Sequence, residues 1–465
     1  MEANQFAEFE SKMRAAGLSD ACITAFRHNY AALVAGQTGQ IPEASIQPVT
    51  ALPRYEELPR TARPNVQRLG QTVVLKLNGG LGTSMGLESP KSLLPVRDGE
   101  TFLDLIARQI LHLRRTHAVP LRFLLMNSFS TSAPTLAALR KHPELGEPKA
   151  LELMQNFVPK VDLATLRPAH WPANPQLEWC PPGHGDLFAA LAGSGWLQRL
   201  RDAGVIYLFV SNSDNLGASL DLLLLDYFAE SDQPFLMEVC ERTSADRKGG
   251  HLAQRDGRLL LRESAQCPAA DEAAFQDITR HRFFNTNNLW VRLDLLAEVL
   301  ARHGGMIPLP LIKNIKTVDP RDGQSPKVAQ LETAMGAAIE CFENAGAIVV
   351  PRTRFAPVKT CADLLAVRSD AYETTPDWRI ELRPERHGQP PALNLDGTHY
   401  KLVDQLDALT REGVPSLRSC ASLTVKGAVQ FSAANVLQGK VAITNRSTSP
   451  KTLPPGDYTD ANVIL

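Results

Sequence analysis

A glycine-rich stretch at residues 77–92 (LNGGLGTSMGLESPKS) contains four glycines and ends beside a lysine. Glycine has no Cβ, so its backbone N–H groups can approach a phosphate closely. The stretch is not a P-loop, because Gly86 is followed by Leu87 rather than by lysine. The three residues between Gly82 and Gly86 also break the G-x-G-x-x-G dinucleotide pattern. The residues predict either a phosphate loop of another kind, with Lys91 as its cation, or a flexible turn before a helix.

Two further stretches combine polar side chains with turns. Gln155, in LMQNFVPK, carries an amide that both donates and accepts, which is enough to read the edge of a nucleobase. In PPGHGDLF, Gly183 and Gly185 flank His184, so that backbone and imidazole are exposed together. The alternatives at these two places are a surface glutamine and a structural turn with a hydrogen-bonded histidine.

The apolar run VIYLFV ends in four polar residues, Asn212, Ser213, Asp214 and Asn215. A carboxylate at the carboxyl end of a buried strand is well placed to hold Mg²⁺. This ion takes one or two carboxylates and completes its shell with water and phosphate oxygens. The alternative is an Asx turn that leads into the next helix.

A cluster of cations, Arg352, Arg354 and Lys359, lies in PRTRFAPVKTCADLL and could either clamp a polyphosphate or form a solvated face. Together, a glycine loop, a base-reading amide, a metal-binding carboxylate and separated lysines are typical of a nucleotidyltransferase. Phosphoryl chemistry of this type needs in-line positioning, a divalent ion and positive charge at the transition state.

The elements that position these clusters are strands alternating with helices. From about Thr72, the apolar runs VVLKL, LRFLLM, VIYLFV and PFLMEVCE alternate with helical patterns such as TFLDLIARQILHL. This order predicts an α/β domain over residues 65–370, with a mixed, mostly parallel sheet covered on both faces. In such sheets ligands bind at the carboxyl ends of strands, and the glycine-rich stretch directly follows VVLKL.

The regions on either side of this domain show other sequence patterns. Residues 1–36 show apolar side chains at helical spacing and predict two amphipathic helices, followed by a Pro- and Gln-rich linker to residue 64. Residues 371–465 predict a β-rich domain, in which VKGAVQF and LQGKVAI repeat one pattern twelve residues apart. The repeat fits stacked β coils, whose open end could pair with a second copy of the chain in a homo-oligomer, or an ordinary hairpin.

The amino-acid composition argues against several classes of protein. The 465 residues include 49 lysines and arginines against 50 aspartates and glutamates, a balance that argues against a nucleic-acid or membrane-surface binder. The seven cysteines are scattered without any C-x-x-C pair, which is typical of a reducing compartment. The polar start MEANQFAEFESKM lacks the apolar core of a signal peptide. We therefore expect a cytoplasmic protein.

Seven motifs, in order, closely resemble the UTP–glucose-1-phosphate uridylyltransferase (UDP-glucose pyrophosphorylase) family of the type typical of eukaryotes. They are LNGGLGTSMGLESPKSLLPVRDGETFLDL, PPGHGDLFAAL, SDNLGA, GGHLA, FNTNNLWV, LETAMGAAIECF and RFAPVKTCADLL. The resemblance runs from about residue 73 to residue 372. It implies a Rossmann-like nucleotidyltransferase domain and a C-terminal, left-handed β-helix-like domain.

The resemblance also implies a role for each matching position, with Lys91 and Lys359 as the catalytic lysines and Asp214 as the ligand of Mg²⁺. Positions that bind the nucleotide match Leu77, Asn78, Gly79, Gly80, Lys91, Gln155, Gly183, Asp214 and Lys359. Positions at the sugar or its phosphate match Gly80, His184, Asn212, Ser213, Asp214, Asn287 and Glu332. Ser213 departs from the family, which more often has an apolar residue there.

The implied reaction is the reversible transfer of UMP from UTP to glucose-1-phosphate, giving UDP-glucose and pyrophosphate. A phosphate oxygen of the sugar phosphate would attack the α-phosphorus in line, with Mg²⁺ and without a covalent enzyme intermediate. The alternatives are a pyrophosphorylase with another or a broader sugar preference, and a non-catalytic nucleotide-sugar-binding scaffold. Every charged group that the chemistry needs is present, which counts against the scaffold.

Overall fold

The computed structural model describes residues 2–60 and 65–465. Residue 1 and residues 61–64, at which the predicted linker ends, lie outside the described part. The helices are α1 (Glu2–Ala15), α2 (Asp20–Val34), α3 (Val66–Gly70), α4 (Phe102–His117), α5 (Ser132–Leu139), α6 (Leu187–Gly193), α7 (Trp196–Asp202), α8 (Leu222–Glu230), α9 (Glu272–Phe275), α10 (Leu293–Arg302), α11 (Cys361–Arg368), α12 (Gly397–Tyr400) and α13 (Val403–Leu409).

The strands follow in the same chain order. The first half comprises β1 (Gln47–Pro48), β2 (Thr72–Asn78), β3 (Pro95–Arg97), β4 (Glu100–Thr101), β5 (Arg122–Asn127), β6 (Glu152–Met154), β7 (Val158–Pro159), β8 (Val161–Asp162), β9 (Trp179–Cys180), β10 (Tyr207–Asn212), β11 (Phe235–Glu241), β12 (His251–Arg255) and β13 (Arg258–Arg262). The second half comprises β14 (Phe283–Arg292), β15 (Ile312–Thr317), β16 (Lys327–Glu332), β17 (Gly346–Val349), β18 (Tyr372–Thr374), β19 (Ile380–Leu382), β20 (Ala392–Leu395), β21 (Ser416–Lys426), β22 (Val429–Gln430), β23 (Asn435–Thr444), β24 (Lys451–Thr452), β25 (Gly456–Thr459) and β26 (Asn462–Ile464).

The two amphipathic helices expected at the N-terminus are α1 and α2. Ser19 caps α2, its hydroxyl accepting from the N–H of Cys22 at 3.3 Å. The buried rings of Phe9 and Tyr30 hold the pair together, with centroids 4.8 Å apart. Val161 belongs to the same apolar cluster, so the helices pack on the strands beside the central sheet.

The central sheet is mixed, as predicted, but it is less parallel than expected. Its main path runs β1-β12-β14-β10-β2-β5-β6, with β11, β13 and β17 attached. Strands β10, β2, β5 and β6 are parallel, whereas β14 is antiparallel to both β10 and β11. The mostly parallel arrangement therefore holds for the four strands around the glycine-rich stretch and not for the sheet as a whole. The apolar runs found in the sequence gave no signal for the direction of β14.

Strand β2 shows why both faces of this sheet are covered. Val73 and Leu75 enter one apolar core with residues of α6 and α10, and Val74 enters another with residues of α4 and α8. Since β2, β5 and β10 run in one direction, the loops at their carboxyl ends meet at one edge. That edge is where the structure gathers the polar clusters.

The pairing of the C-terminal strands excludes an ordinary hairpin. Strands β21 and β23 pair in parallel, which a hairpin cannot do, and β25 and β26 extend the parallel sheet. Within it Ser416 faces Val436 and Val425 faces Ile443, offsets of 20 and 18 residues. The twelve-residue sequence repeat is therefore not the spacing of the paired strands.

No helix within residues 2–60 and 65–465 is long and apolar enough to cross a membrane.

Candidate active site

A cleft of about 340 Å³ lies at the carboxyl ends of β2, β5 and β10. It is lined by Leu77, Gly79, Gly80, Lys91, Met126, Gln155, Pro181, Gly183, His184, Asn212, Ser213 and Asp214. Ten of these twelve, all but Met126 and Pro181, are residues that the sequence analysis assigned to a site. Residues spread over more than 130 positions of the chain thus share one cavity, although their individual roles stay predictions.

The glycine-rich stretch forms the first wall of the cleft. A Cβ on Gly79 would lie 2.8 Å from Oε1 of Gln155, whereas around Gly80 no atom lies within 4 Å of such a position. Gly82 and Gly86 adopt left-handed φ values of +65° and +76° that other residues rarely reach. The stretch therefore bends twice and leaves bare backbone next to open space.

The second wall is built from the loops that carry Gln155 and Gly183. Gly183 has φ +79° and lies so close to β16 that a Cβ would be 2.4 Å from the carbonyl oxygen of Thr333. Its own carbonyl accepts from Nε2 of Gln155 at 3.0 Å. The amide and the backbone predicted to read a base are thus in contact with each other.

His184 is an uncharged hydrogen-bond donor in this cleft. The backbone N–H of Met335 donates to Nδ1 of His184 at 3.0 Å. An accepting Nδ1 leaves the single ring proton on Nε2. Burial lowers the pKa of His184 to about 4, so the neutral form dominates at pH 7.

Lys91 and Asp214 form an ion pair across the cleft. Nζ of Lys91 donates to Oδ2 of Asp214 at 2.7 Å, with both side chains largely buried. Within residues 2–60 and 65–465 no group of three or more His, Cys, Asp and Glu side chains could enclose a metal ion. The single carboxylate fits Mg²⁺ that is shared with substrate phosphates, because that ion commonly takes only one or two protein carboxylates.

The side chain of Asn78 points away from the cleft and into the sheet. Its Nδ2 donates to Oδ1 of Asn127 at 2.7 Å and to the hydroxyl of Thr135 at 3.0 Å. Its Oδ1 accepts from the hydroxyl of Ser213 at 3.2 Å. Any nucleotide contact of Asn78 would therefore come from its backbone. The bond from Ser213 also gives its hydroxyl a partner, which an apolar residue at that position would not need.

Two predicted sugar-pocket residues, Asn287 and Glu332, lie outside the lining of the cleft. Asn287 has φ +59° beside a bulge in β14, and its N–H donates to Oδ1 of Asn285 at 2.9 Å. Glu332 ends β16, where its Cβ would lie 3.2 Å from a Cβ on Gly183. Glu332 thus borders the second wall, and neither residue lines the 340 Å³ cleft.

Lys359 lies in a neighbouring cavity of about 490 Å³, lined among others by Phe284 and Tyr372. Its Nζ lies 5.9 Å from the ring centroid of Phe355. The other two cations of the predicted cluster are in ion pairs: Arg352 with Asp246 at 2.8 Å, and Arg354 with Glu238 at 2.8 Å. Arg354 is buried in its ion pair and therefore fits neither a polyphosphate clamp nor a solvated face, whereas Arg352 lines the same cavity as Lys359.

Two acidic residues that the sequence analysis did not assign lie at this site. The side chain of Asp186 accepts from N and Nδ2 of Asn156 at 2.7 and 2.9 Å, and so joins the loop of Gln155 to that of Gly183. Burial raises the pKa of Asp186 to about 6.

The second unassigned acid is Glu263. Burial raises its pKa while the charge of Lys359 opposes that change. Its carboxylate lies 2.5 Å from where a Cβ on Gly250 would be, so the glycines of GGHLA leave it room. The only sequence signal was an acid at the end of the apolar run LLLR.

Comparisons with known proteins agree with this geometry. A sequence model of the family described as UTP–glucose-1-phosphate uridylyltransferase matches residues 23–438. A probable UTP–glucose-1-phosphate uridylyltransferase of Schizosaccharomyces pombe is 42% identical over 397 residues, 85% of this chain and 77% of that protein. The enzyme of Saccharomyces cerevisiae is 40% identical over 402 residues, 86% of this chain and 79% of that protein.

Solved structures are similar over the same range. A variant of UDP-glucose pyrophosphorylase from Leishmania major, in complex with UDP-glucose, has a TM-score of 0.93 and 51% identity, covering 99% of each chain. A protein of Trypanosoma brucei described as UDP-glucose phosphorylase has a TM-score of 0.90 and 50% identity, covering 99% of this chain and 100% of that one.

Proposed function

This chain belongs to the UTP–glucose-1-phosphate uridylyltransferase family, and from that membership we propose which residues carry its reaction. The enzyme forms UDP-glucose from UTP and glucose-1-phosphate. A phosphate oxygen of glucose-1-phosphate attacks the α-phosphorus of UTP, and the bond from that phosphorus to the bridging oxygen breaks as pyrophosphate leaves. One P–O bond forms for each one broken, so no covalent enzyme intermediate is needed.

The observation that carries this assignment is the Lys91–Asp214 pair beside the bare backbone of Gly79 and Gly80. A triphosphate lying along that backbone brings the negative charge that Lys91 can neutralise in place of Asp214. Lysine suits this exchange because its ammonium is a mobile point charge on a flexible stem. Lys359 supplies the second positive charge from the neighbouring cavity.

Asp214 is the proposed ligand of Mg²⁺, released from Lys91 when the nucleotide binds. The ion, when bound, neutralises charge on the phosphates and stabilises the leaving pyrophosphate. His184 contributes a neutral Nε2–H donor to the sugar phosphate, consistent with the bond from Met335 to its Nδ1.

Base choice is proposed to rest on Gln155 and Gly183. Their mutual hydrogen bond is replaced by bonds to uracil, whose edge has both a donor and acceptors. Another base would leave polar groups of this wall unpaired, which makes discrimination steep.

The test is pyrophosphate release from UTP and Mg²⁺ with a panel of sugar-1-phosphates, and with ATP, CTP and GTP as nucleotide controls. We expect release with UTP and glucose-1-phosphate only. Equal rates with galactose-1-phosphate or N-acetylglucosamine-1-phosphate would replace the substrate assignment with a broader sugar preference. No release with any pair would favour the non-catalytic scaffold.

We propose, further, that residues 371–465 form a left-handed β-helix-like domain and residues 65–370 the catalytic domain. The parallel pairing of β21 with β23, and of β22 with β24, supports stacked coils. An oligomer through this domain and a cytoplasmic location stay predictions. Sedimentation of the purified chain tests the first, and microscopy of a tagged chain tests the second.

A further inference from the structure

Asn215 holds together two segments that carry the proposed catalytic charges. It follows Asp214 directly, is 4% exposed, and does not line the cleft. Its Oδ1 accepts from the N–H groups of Gly217 at 3.1 Å and Ala356 at 2.9 Å. Its Nδ2 donates to Oδ1 of Asn288 at 3.3 Å and to the carbonyl oxygen of Arg354 at 3.2 Å. Two of these four bonds reach the segment that leads to Lys359.

Backbone contacts continue this junction as far as the residue before Lys359. Asn215 and Pro357 form an antiparallel bridge, and the N–H of Val358 donates to the carbonyl oxygen of Asp214 at 3.2 Å. Gly217 approaches the same segment so closely that a Cβ would lie 2.2 Å from the carbonyl oxygen of Thr353. Residues 353–358 therefore run against residues 214–217 with little freedom.

A buried ion pair fixes the start of that segment from the other side. Nε and Nη2 of Arg354 each donate to the carboxylate of Glu238 at 2.8 Å, and Glu238 is fully buried. Burial acts against the charge of Arg354, but the Glu238 carboxylate outweighs it and keeps the pKa above its ordinary value. Asn288 also donates to Glu238 at 3.0 Å, so the partner of Asn215 is itself fixed.

We propose that Asn215 is a positioning residue for Lys359. It sets the distance between the main chain that bears Lys359 and the carboxylate of Asp214, and thereby places the lysine charge at the transferring phosphates. The inference rests on the proposed role of Lys359. Asparagine suits this place, because its amide accepts through Oδ1 and donates through Nδ2 at the same time.

A double-mutant cycle with Lys359→Ala tests the proposal. We expect Asn215→Ala to lower kcat by about 10-fold or more with the KM for UTP changed little, because small misplacements of a catalytic group are costly. In the Lys359→Ala background the same substitution should lower kcat by at most about 2-fold, since no lysine remains to be misplaced. A merely structural role would lower kcat by the same factor in both backgrounds, and that result would overturn the proposal.

The matched control is Asn435→Ala in the C-terminal coil. Asn435 is also buried, donating to the carbonyl oxygens of Leu453 and Pro454 and accepting from the N–H of Ser432. Its loss should lower stability by a similar amount and leave kcat unchanged. Equal kcat losses in Asn435→Ala and Asn215→Ala would also count against the proposal.

A second substitution covers the case in which Asn215→Ala does not fold. Asn215→Asp keeps the size and the acceptor but removes both donated bonds, so the cycle should show the same dependence on Lys359. If Lys359→Ala itself turns over normally, the proposed function fails. If Lys359→Ala is impaired and neither substitution at Asn215 depends on it, only this inference fails.

Discussion

The two halves of the active site are built in different ways. We call residues 77–91, 155, 183–184 and 214 the nucleotide half and residues 354–363 the lysine half. The nucleotide half consists of loops at neighbouring strand ends, with glycines that remove side chains where the backbone must be reached. The lysine half is held by buried polar bonds between distant residues, such as Arg354 with Glu238, 116 positions apart.

The charged side chains of the two halves also have different partners. The nucleotide half pairs its own charges, Lys91 with Asp214, while Lys359 in the other half faces an aromatic ring. Locally, Lys359 precedes a capping box in which Asp363 accepts from the N–H groups of Lys359 and Thr360 at 2.9 and 2.7 Å. A helix start and a buried network thus fix the backbone that carries the lysine side chain.

The largest expected effect is in the lysine half. Lys359→Ala should lower kcat by on the order of 10²–10³, the scale for losing one electrostatic stabiliser. Steady-state kinetics on the folded variant measure this. Lys451→Ala, an exposed lysine of the C-terminal region, serves as the control and should retain full turnover. Near-normal kcat in Lys359→Ala would remove the distinction between the halves.

The next effect is in the nucleotide half and concerns specificity instead of rate. Gln155→Ala should lower the ratio of kcat/KM for UTP over CTP by about 10–100-fold, because the wall loses the group that leaves a wrong base unpaired. The ratio is measured by competition. The control is Gln109→Ala, whose amide donates to the carbonyl oxygen of Trp378 at 2.9 Å outside the cleft. An unchanged ratio in Gln155→Ala would take base recognition away from this wall.

The sequence predicted the nucleotide half better than the lysine half for a physical reason. The positions of Gly80, Gly183 and Asp214 follow from turns after apolar strands, and parallel strands bring such turns together. The pairing of Arg354 with Glu238 depends on which distant strands become neighbours: Glu238 lies on β11, which pairs in parallel with β17, and Arg354 follows β17. The three cations that are neighbours in the sequence, Arg352, Arg354 and Lys359, therefore have different partners in the fold, and local sequence patterns do not show those partners.

The C-terminal region shows the same limit of prediction from local sequence patterns. Alternation with glycine corners predicted β coils, and the left-handed φ values of Gly427 and Gly439 agree with corners. The register was not predictable, because Val425 pairs with Ile443 and not with the residue twelve positions on. Two copies of a short pattern cannot define which strands become neighbours or in which register they pair.

A smaller effect is expected at Asp214, the proposed ligand of Mg²⁺ in the nucleotide half. Asp214→Asn should raise the Mg²⁺ concentration needed for half-maximal activity by about 10-fold, since a neutral amide replaces a carboxylate that lines the cleft. The measurement is an Mg²⁺ titration at fixed UTP. Asp226→Asn, which removes the ion pair with Arg68 outside the cleft, is the control and should not shift the titration. If the two titrations coincide, Asp214 has no part in holding the ion.

The smallest effect concerns the charge of the nucleotide half and appears in stability. The pKa of His184 lies at about 4 in the folded chain, below the value of about 6.5 for an exposed histidine. Between pH 4 and pH 6.5 this histidine is therefore protonated in unfolded chains and neutral in folded ones. The contribution of His184 to the free energy of unfolding is complete above pH 6.5 and declines as the pH falls toward 4. Chemical denaturation of the wild type and His184→Gln at pH 7 and pH 5 measures the difference. The advantage of the wild type should shrink by on the order of 1–2 kcal/mol at pH 5. An advantage that grows on acidification would mean that His184 is charged in the cleft, so that it would bring a positive charge to the sugar phosphate and not a neutral N–H donor.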